Sequence, residues 1–218
     1  MVPNSDCIDP NWVQIYHKKK LAHTALQNWV GYMERRLKEL RKPFLISNSH
    51  DMMKFVSTSK DPTVANDNKT VVSMLDRNNS VKELKQLLLF EGCIYTVTRN
   101  NSDGTLCNAQ SVILLKLPSQ DHIASFKPIT VYACPAGEPE RNRLYYDPPP
   151  SAEEVEEEWG WKKVKVSLLH EHYITENHII AYRKQYPLTH PGASTVSFKR
   201  IITSMWNKPY NTSLHYIR

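Results

Sequence analysis

The stretch that most limits what this chain can become runs from Gly92 to Leu115. Gly92-Cys93-Ile94-Tyr95-Thr96-Val97-Thr98-Arg99 is followed by the polar segment Asn100-Asn101-Ser102-Asp103-Gly104 and then by Ser111-Val112-Ile113-Leu114-Leu115. Apolar, β-branched and aromatic residues at a period of two, broken by a turn rich in Asn, Asp and Gly, define a β-hairpin, because alternate strand residues reach opposite faces. A third strand is predicted at Pro128-Ile129-Thr130-Val131-Tyr132-Ala133, and strand patterns return over 164–169 and 179–188.

Upstream the period changes. Ala22, Leu26, Trp29, Met33, Leu37 and Leu40 fall three or four apart, which predicts a helix over 17–42 with Lys and Arg on its outer face and Pro43 as its stop. Phe44-Leu45-Ile46 reads as a short strand and 47–70, rich in Asn, Asp, Ser and Lys, as a long loop. Ser80-Val81-Lys82-Glu83 has the form of a capping box, predicting a short helix to about Phe90. Pro148-Pro149-Pro150 marks a rigid linker. Beyond it Glu153, Glu154, Glu156, Glu157 and Glu158 form a run that repels DNA and, with Ser151 as N-cap, can make a short helix.

Composition excludes several classes. With 218 residues, 40% of them hydrophobic, the chain can bury a core. No apolar run approaches the ~20 residues that span a bilayer. Met1-Val2-Pro3-Asn4-Ser5-Asp6-Cys7 carries neither a basic region nor an apolar run, so an intracellular protein is expected. Cys7, Cys93, Cys107 and Cys134 form no C-x-x-C pair and read as buried thiols; a bridge from Cys93 to Cys107 across the hairpin is geometrically conceivable but not expected in a reducing compartment. The formal charge of +6 suits a polyanionic partner without requiring one.

Independent catalysis has no motif. A nucleotide site needs a Gly-rich loop ending in Lys and Ser/Thr, whose amides cradle phosphates, and none of Gly31, Gly92, Gly104, Gly137, Gly160 and Gly192 begins one. No Asp-Glu pair follows an apolar strand to hold magnesium, and no G-x-S-x-G is present. His170 and His172, with Glu171 between them and His178 downstream, share one strand face, but too few ligands converge for a structural metal, and none is expected.

Two stretches carry a resemblance. Leu88-Leu89-Phe90-Glu91-Gly92-Cys93-Ile94-Tyr95-Thr96-Val97-Thr98, continuing through Asn108-Ala109-Gln110 to Leu117-Pro118-Ser119-Gln120, resembles the entry to the second motor domain of Pif-type, RecD-like superfamily-1 DNA helicases. Tyr182-Arg183-Lys184-Gln185-Tyr186-Pro187-Leu188-Thr189-His190, followed by Ser194-Thr195-Val196, is similar to the segment before that family's Thr-Ile-His motif. The likeness is greatest to large transposon-associated animal members. Where the family continues Thr-Ile-His-Lys-Ser-Gln-Gly, this chain reads Thr195-Val196-Ser197-Phe198-Lys199-Arg200-Ile201, so a truncated fragment is implied.

The resemblance implies a mixed α/β fold: a helical arm with a short strand and loop over 1–80, an incomplete RecA-like second lobe with an inserted small antiparallel β-barrel over 81–196, and a divergent tail over 197–218. It implies a nuclear protein that binds single-stranded DNA and no membrane, working with a chain or domain that carries the ATP-binding lobe. ATP and magnesium are implied for a complete family member and no cofactor for this chain alone. Phosphate contacts are expected from Arg99, Lys116, Arg183, Lys184, Gln185 and Thr195, and base stacking from Tyr95 and Tyr182. The alternative is a non-enzymatic protein-interaction module built on the barrel and the acidic block.

Overall fold

Helix α1 (Lys19–Glu39) follows most of the predicted spacing: Leu26, Trp29, Met33 and Leu37 are buried on one stripe, whereas Leu40, expected on it, lies past the helix and is exposed. It stops in a Schellman turn, where Arg41 takes the left-handed conformation (φ 54°), its N–H donates to the Lys38 carbonyl at 3.1 Å and the Lys42 N–H to that of Leu37 at 2.9 Å. A computed structural model describes residues 14–16, 19–55, 63–64, 84–101, 103–135, 143–174, 179–190 and 193–195. The strands are β1 (Gln14–Tyr16), β2 (Phe44–Asn48), β3 (His50–Phe55), β4 (Thr63–Val64), β5 (Gln86–Phe90), β6 (Ile94–Val97) and β7 (Ser111–Ile113). After a short helix α2 (Gln120–Ala124) come β8 (Ile129–Ala133), a π-helical turn (Glu154–Glu158), β9 (Lys162–Val166), β10 (Leu169–Ile174), β11 (Ile179–Gln185), β12 (Leu188–Thr189) and β13 (Ala193–Thr195).

The hairpin forms as expected, with Ile94 opposite Ile113 and Thr96 opposite Ser111. It sits inside a five-stranded antiparallel sheet of order β12-β6-β7-β8-β9. The expected barrel is corrected here: among the described residues no sheet closes on itself. Strand β9, at one edge of this sheet among the described strands, carries exposed Lys162, Lys163 and Lys165, and charge of this kind keeps an edge from pairing further. Parallel pairing, on which a RecA-like lobe is built, occurs among the described strands only between β1 and β13.

Two further expectations are overturned. The predicted helix ending near Phe90 is strand β5, paired antiparallel with β2 from Phe44↔Phe90 to Asn48↔Gln86. Leu87, Leu88, Leu89 and Phe90 are all buried, so the run serves both faces of a strand, and the capping-box residues 80–83 lie outside the described residues. The predicted loop over 47–70 contains β3 and β4, which join β10 and β11 in a second sheet of order β10-β11-β3-β4. Pairing with β11 outweighs the weak strand propensity of its Asp and Lys residues.

One core unites the arm with the hairpin: Trp29, Met33 and Leu37 pack with Leu87, Phe90, Tyr95, Val112 and Leu188. A smaller cluster on the opposite hairpin face joins Ile94, Ile113 and Tyr132 to Val155 and Trp161. Ser151 caps the acidic turn as expected, its Oγ accepting from the Glu154 N–H at 3.1 Å. Val155 pins that turn to the sheet, and Glu156, Glu157 and Glu158 stay exposed. Cys93 and Cys134 are buried free thiols, whereas Cys107, against expectation, is exposed.

Candidate nucleic-acid interface

Strand β11 lies between β10 and β3, so Ile180 to Lys184 each have a neighbour on both sides. Arg183 stands opposite Asp51 and Glu171, Lys184 opposite His50 and His170, and Tyr182 opposite Met52 and His172. Because side chains alternate, Arg183 and Gln185 share one face and Tyr182 and Lys184 the other.

The Arg183 face is interior. Its Nε donates to Asp51 Oδ1 at 2.9 Å and its Nη2 to Oδ2 at 2.8 Å, with both side chains 2% exposed. Ser49 Oγ donates to the same Asp51 Oδ1 at 2.9 Å. Gln185 is equally engaged: Oε1 accepts from Ser47 Oγ and from the Tyr186 N–H, both at 3.0 Å, and Nε2 donates to the carbonyls of Ser47 at 3.0 Å and Leu84 at 3.2 Å. These contacts lock β11 to β2 and β3. The expectation that Arg183 and Gln185 reach a phosphate is therefore corrected, because their polar atoms are turned inward and satisfied there.

Tyr95 is corrected on the same ground. Its ring is fully buried, and its hydroxyl donates to the Leu88 carbonyl at 3.0 Å while accepting from the Phe90 N–H at 3.2 Å, stapling β6 to β5. Burial pushes its phenol well above the usual range. No face is left for a base.

The opposite face of β11 is partly open. The Lys184 ammonium lies 4.9 Å from the centre of the Phe126 ring, and the His50 ring 6.0 Å from it. Phe126 is held there by a second Schellman turn closing α2: its φ is 53°, its N–H donates to the Ile123 carbonyl at 3.0 Å, and the Lys127 N–H donates to that of His122 at 3.1 Å. At the other end of α2, Ser119 Oγ accepts from the His122 N–H at 3.2 Å. Tyr186 fastens this turn to β11, its hydroxyl donating to the Lys127 carbonyl at 2.6 Å. A bulky residue in the left-handed region is strained, and such strain gathers where a side chain has to be presented. The result is a half-buried aromatic ring beneath a cation, flanked by the exposed Lys127, with Tyr182 two residues from Lys184 on the same face.

The remaining expected residues are scattered. Lys116 is exposed beyond β7, and Arg99 is half-buried beyond β6. Thr195 pairs in β13 with Tyr16, its side chain outside the described residues. His170 and His172 belong to β10, but their side chains, like His178 altogether, also lie outside them. Phe126, His50 and Asp51 escaped the sequence reading. The discoverable sign was Ser119-Gln120-Asp121, an N-cap with an acid in the first turn.

Cys93 and His190 form a contact that superficially resembles a nucleophile and its base, with Sγ 3.9 Å from Nδ1. Both are sealed in the core. His190 packs between the rings of Trp29 and Tyr95, 5.1 Å from each, and burial lowers its pKa to about 3 while pushing the Cys93 thiol up. Neither group carries charge at neutral pH, so the pair is core and offers no thiolate.

No family model and no curated protein matches the sequence. Solved structures of Pif1 helicases are similar to it. The Candida albicans enzyme matches at 15% identity and a TM-score of 0.47, over 87% of this chain and 37% of that one. Unliganded Pif1 from Bacteroides sp gives 13% and 0.43 over 86% and 42%, and Bacteroides Pif1 bound to ssDNA gives 14% and 0.41 over 87% and 32%. The chain thus spans less than half the length of each of these helicases. Each of these scores lies below 0.5, and the expected transposon-associated animal subtype gains nothing from the likeness. No helix among the described residues is long and apolar enough to cross a membrane.

Proposed function

We propose that the chain binds single-stranded DNA on the open face of β11, without hydrolysing ATP itself. The observation that carries this is the Lys184 ammonium 4.9 Å from the Phe126 ring on a strand whose other face is locked inward. Aromatic faces stack on any base at ~1–3 kcal/mol each, and a neighbouring cation neutralises a phosphate. Tyr182 and Lys127 extend the same chemistry, and Arg183 acts as a positioning residue through Asp51. In this reading residues 81–196 belong to the second lobe of a helicase-like motor, 1–80 to its arm, and the phosphate-cradling loop comes from another chain or domain, in the nucleus. Lys116, Arg99 and Thr195 are secondary phosphate contacts.

Fluorescence anisotropy of a labelled oligonucleotide over a salt series tests it. Lys184→Ala is expected to weaken binding and reduce the log–log salt slope by roughly 0.7, one phosphate contact on a single strand. Phe126→Ala is expected to weaken it with the slope unchanged. Absence of binding at low salt, or indifference to both replacements, overturns the proposal. The exposed Glu156, Glu157 and Glu158 on their capped turn would then favour the protein-interaction reading.

A further inference from the structure

The last turn of α1, the start of β2, the β5–β6 turn and the segment 143–149 enclose a cavity of about 190 Å³. Met33 and Leu37 form its floor, both buried, and Phe90 and Tyr145 line its wall, their rings edge to face at 6.3 Å. Leu40, 47% exposed, stands at the mouth with Arg36.

The wall is built to stay where it is. Gly92, at φ 80°, lets the 143–149 segment approach so closely that an added Cβ would lie 2.2 Å from the Tyr146 carbonyl oxygen. The Tyr146 N–H donates to the Gly92 carbonyl and the Ile94 N–H to that of Leu144, both at 2.9 Å. Lys42 closes the far end in an ion pair with Asp147.

The charges that line the cavity are unequally matched. Asp147 is neutralised by Lys42, and the Glu91 carboxylate accepts from the Leu117 N–H at 2.9 Å. Arg36 meets no carboxylate among the described residues; its guanidinium lies against the hydroxyls of Tyr32 and Tyr145. What remains is an apolar slot with aromatic walls, too small for the ~300–1,000 Å³ of a drug-sized ligand, and one cation at its rim that lacks an anion among the described residues.

We propose that this cavity takes a single unstacked nucleobase of a bound single strand, with Arg36 on the adjoining phosphate. A planar ring can lie against this apolar lining beside Tyr145, and the guanidinium's planar donors match a phosphate oxygen pair. This rests on the single-stranded DNA reading above and extends it to a second, separately built subsite.

The test uses the full chain and single-stranded oligonucleotides carrying one 2-aminopurine at successive positions, read by 2-aminopurine fluorescence alongside anisotropy. One position is expected to change its fluorescence at least twofold on binding, and an abasic residue at that position to weaken affinity about tenfold. Arg36→Ala, an exposed change, and Tyr145→Ala, checked for folding by circular dichroism, are each expected to abolish the fluorescence change. If anisotropy reports binding while no position responds, or the response survives both replacements, the cavity proposal is overturned and the DNA reading stands. Absence of any oligonucleotide binding overturns both.

Discussion

Arg183 and Asp51 meet as a bidentate ion pair across two adjacent strands, at 2.9 and 2.8 Å, with 2% of either side chain exposed. Removing one partner leaves the other as an uncompensated buried charge, a loss of about 3–5 kcal/mol. Arg183→Ala and Asp51→Ala should therefore each lower stability by that order in urea unfolding. Replacing both with Met and Leu should cost much less than the two single changes added. An Arg183→Ala protein as stable as the parent would refute the interior assignment.

Much of this could be read beforehand, and the failures have physical causes. The α1 stripe and the hairpin were legible because long periodic segments state their own period. Leu87 to Phe90 was not, since four consecutive apolar residues fit a buried helix or a two-faced strand equally, and only pairing with β2 decides. Asp51 hid in a polar stretch because its value lies in a partner 132 residues away. The alternation of β11 was visible, but which face turned inward was not: Arg183 and Lys184 look alike until Asp51 is placed opposite one of them.

Arg41 and Phe126 both occupy the left-handed position of a Schellman turn, with φ of 54° and 53°. A side chain there is disfavoured by roughly 1–2 kcal/mol, partly offset in glycine by its greater freedom when unfolded. Arg41→Gly is expected to raise stability by about 0.5–1 kcal/mol. Phe126→Gly should relieve the same backbone strain at the cost of the ring's contacts with Lys184 and His50, and should weaken oligonucleotide binding. Parallel urea titrations and anisotropy read both, and a Phe126→Gly protein with unaltered affinity would remove Phe126 from the interface.

Phosphate release by the isolated chain, with saturating single-stranded DNA, magnesium and ATP, should not exceed background. No glycine in the sequence begins a phosphate loop, so no set of backbone amides is arranged to hold a γ-phosphate. Turnover that copurifies with the chain at constant specific activity would contradict the division of labour proposed here.

His190 gives the fold a defined acid sensitivity. Its imidazole, enclosed by Trp29, Tyr95 and Cys93, has a folded pKa lowered to about 3 by burial, against about 6.5 for an exposed histidine. Between these values the unfolded chain takes up a proton that the folded chain refuses, so stability rises with pH across this window. The contribution is present in full above about 6.5 and is lost as pH falls towards 3, at up to ~1.4 kcal/mol per pH unit for one proton. His190→Met, of similar volume and without a titrating group, should remove about one proton from the pH dependence of urea unfolding between pH 6 and 4. Carboxylates also titrate towards the lower end of that range, so the comparison is between variant and parent at each pH. An unchanged slope would mean that His190 is protonated in the folded protein, which the apolar enclosure around it opposes.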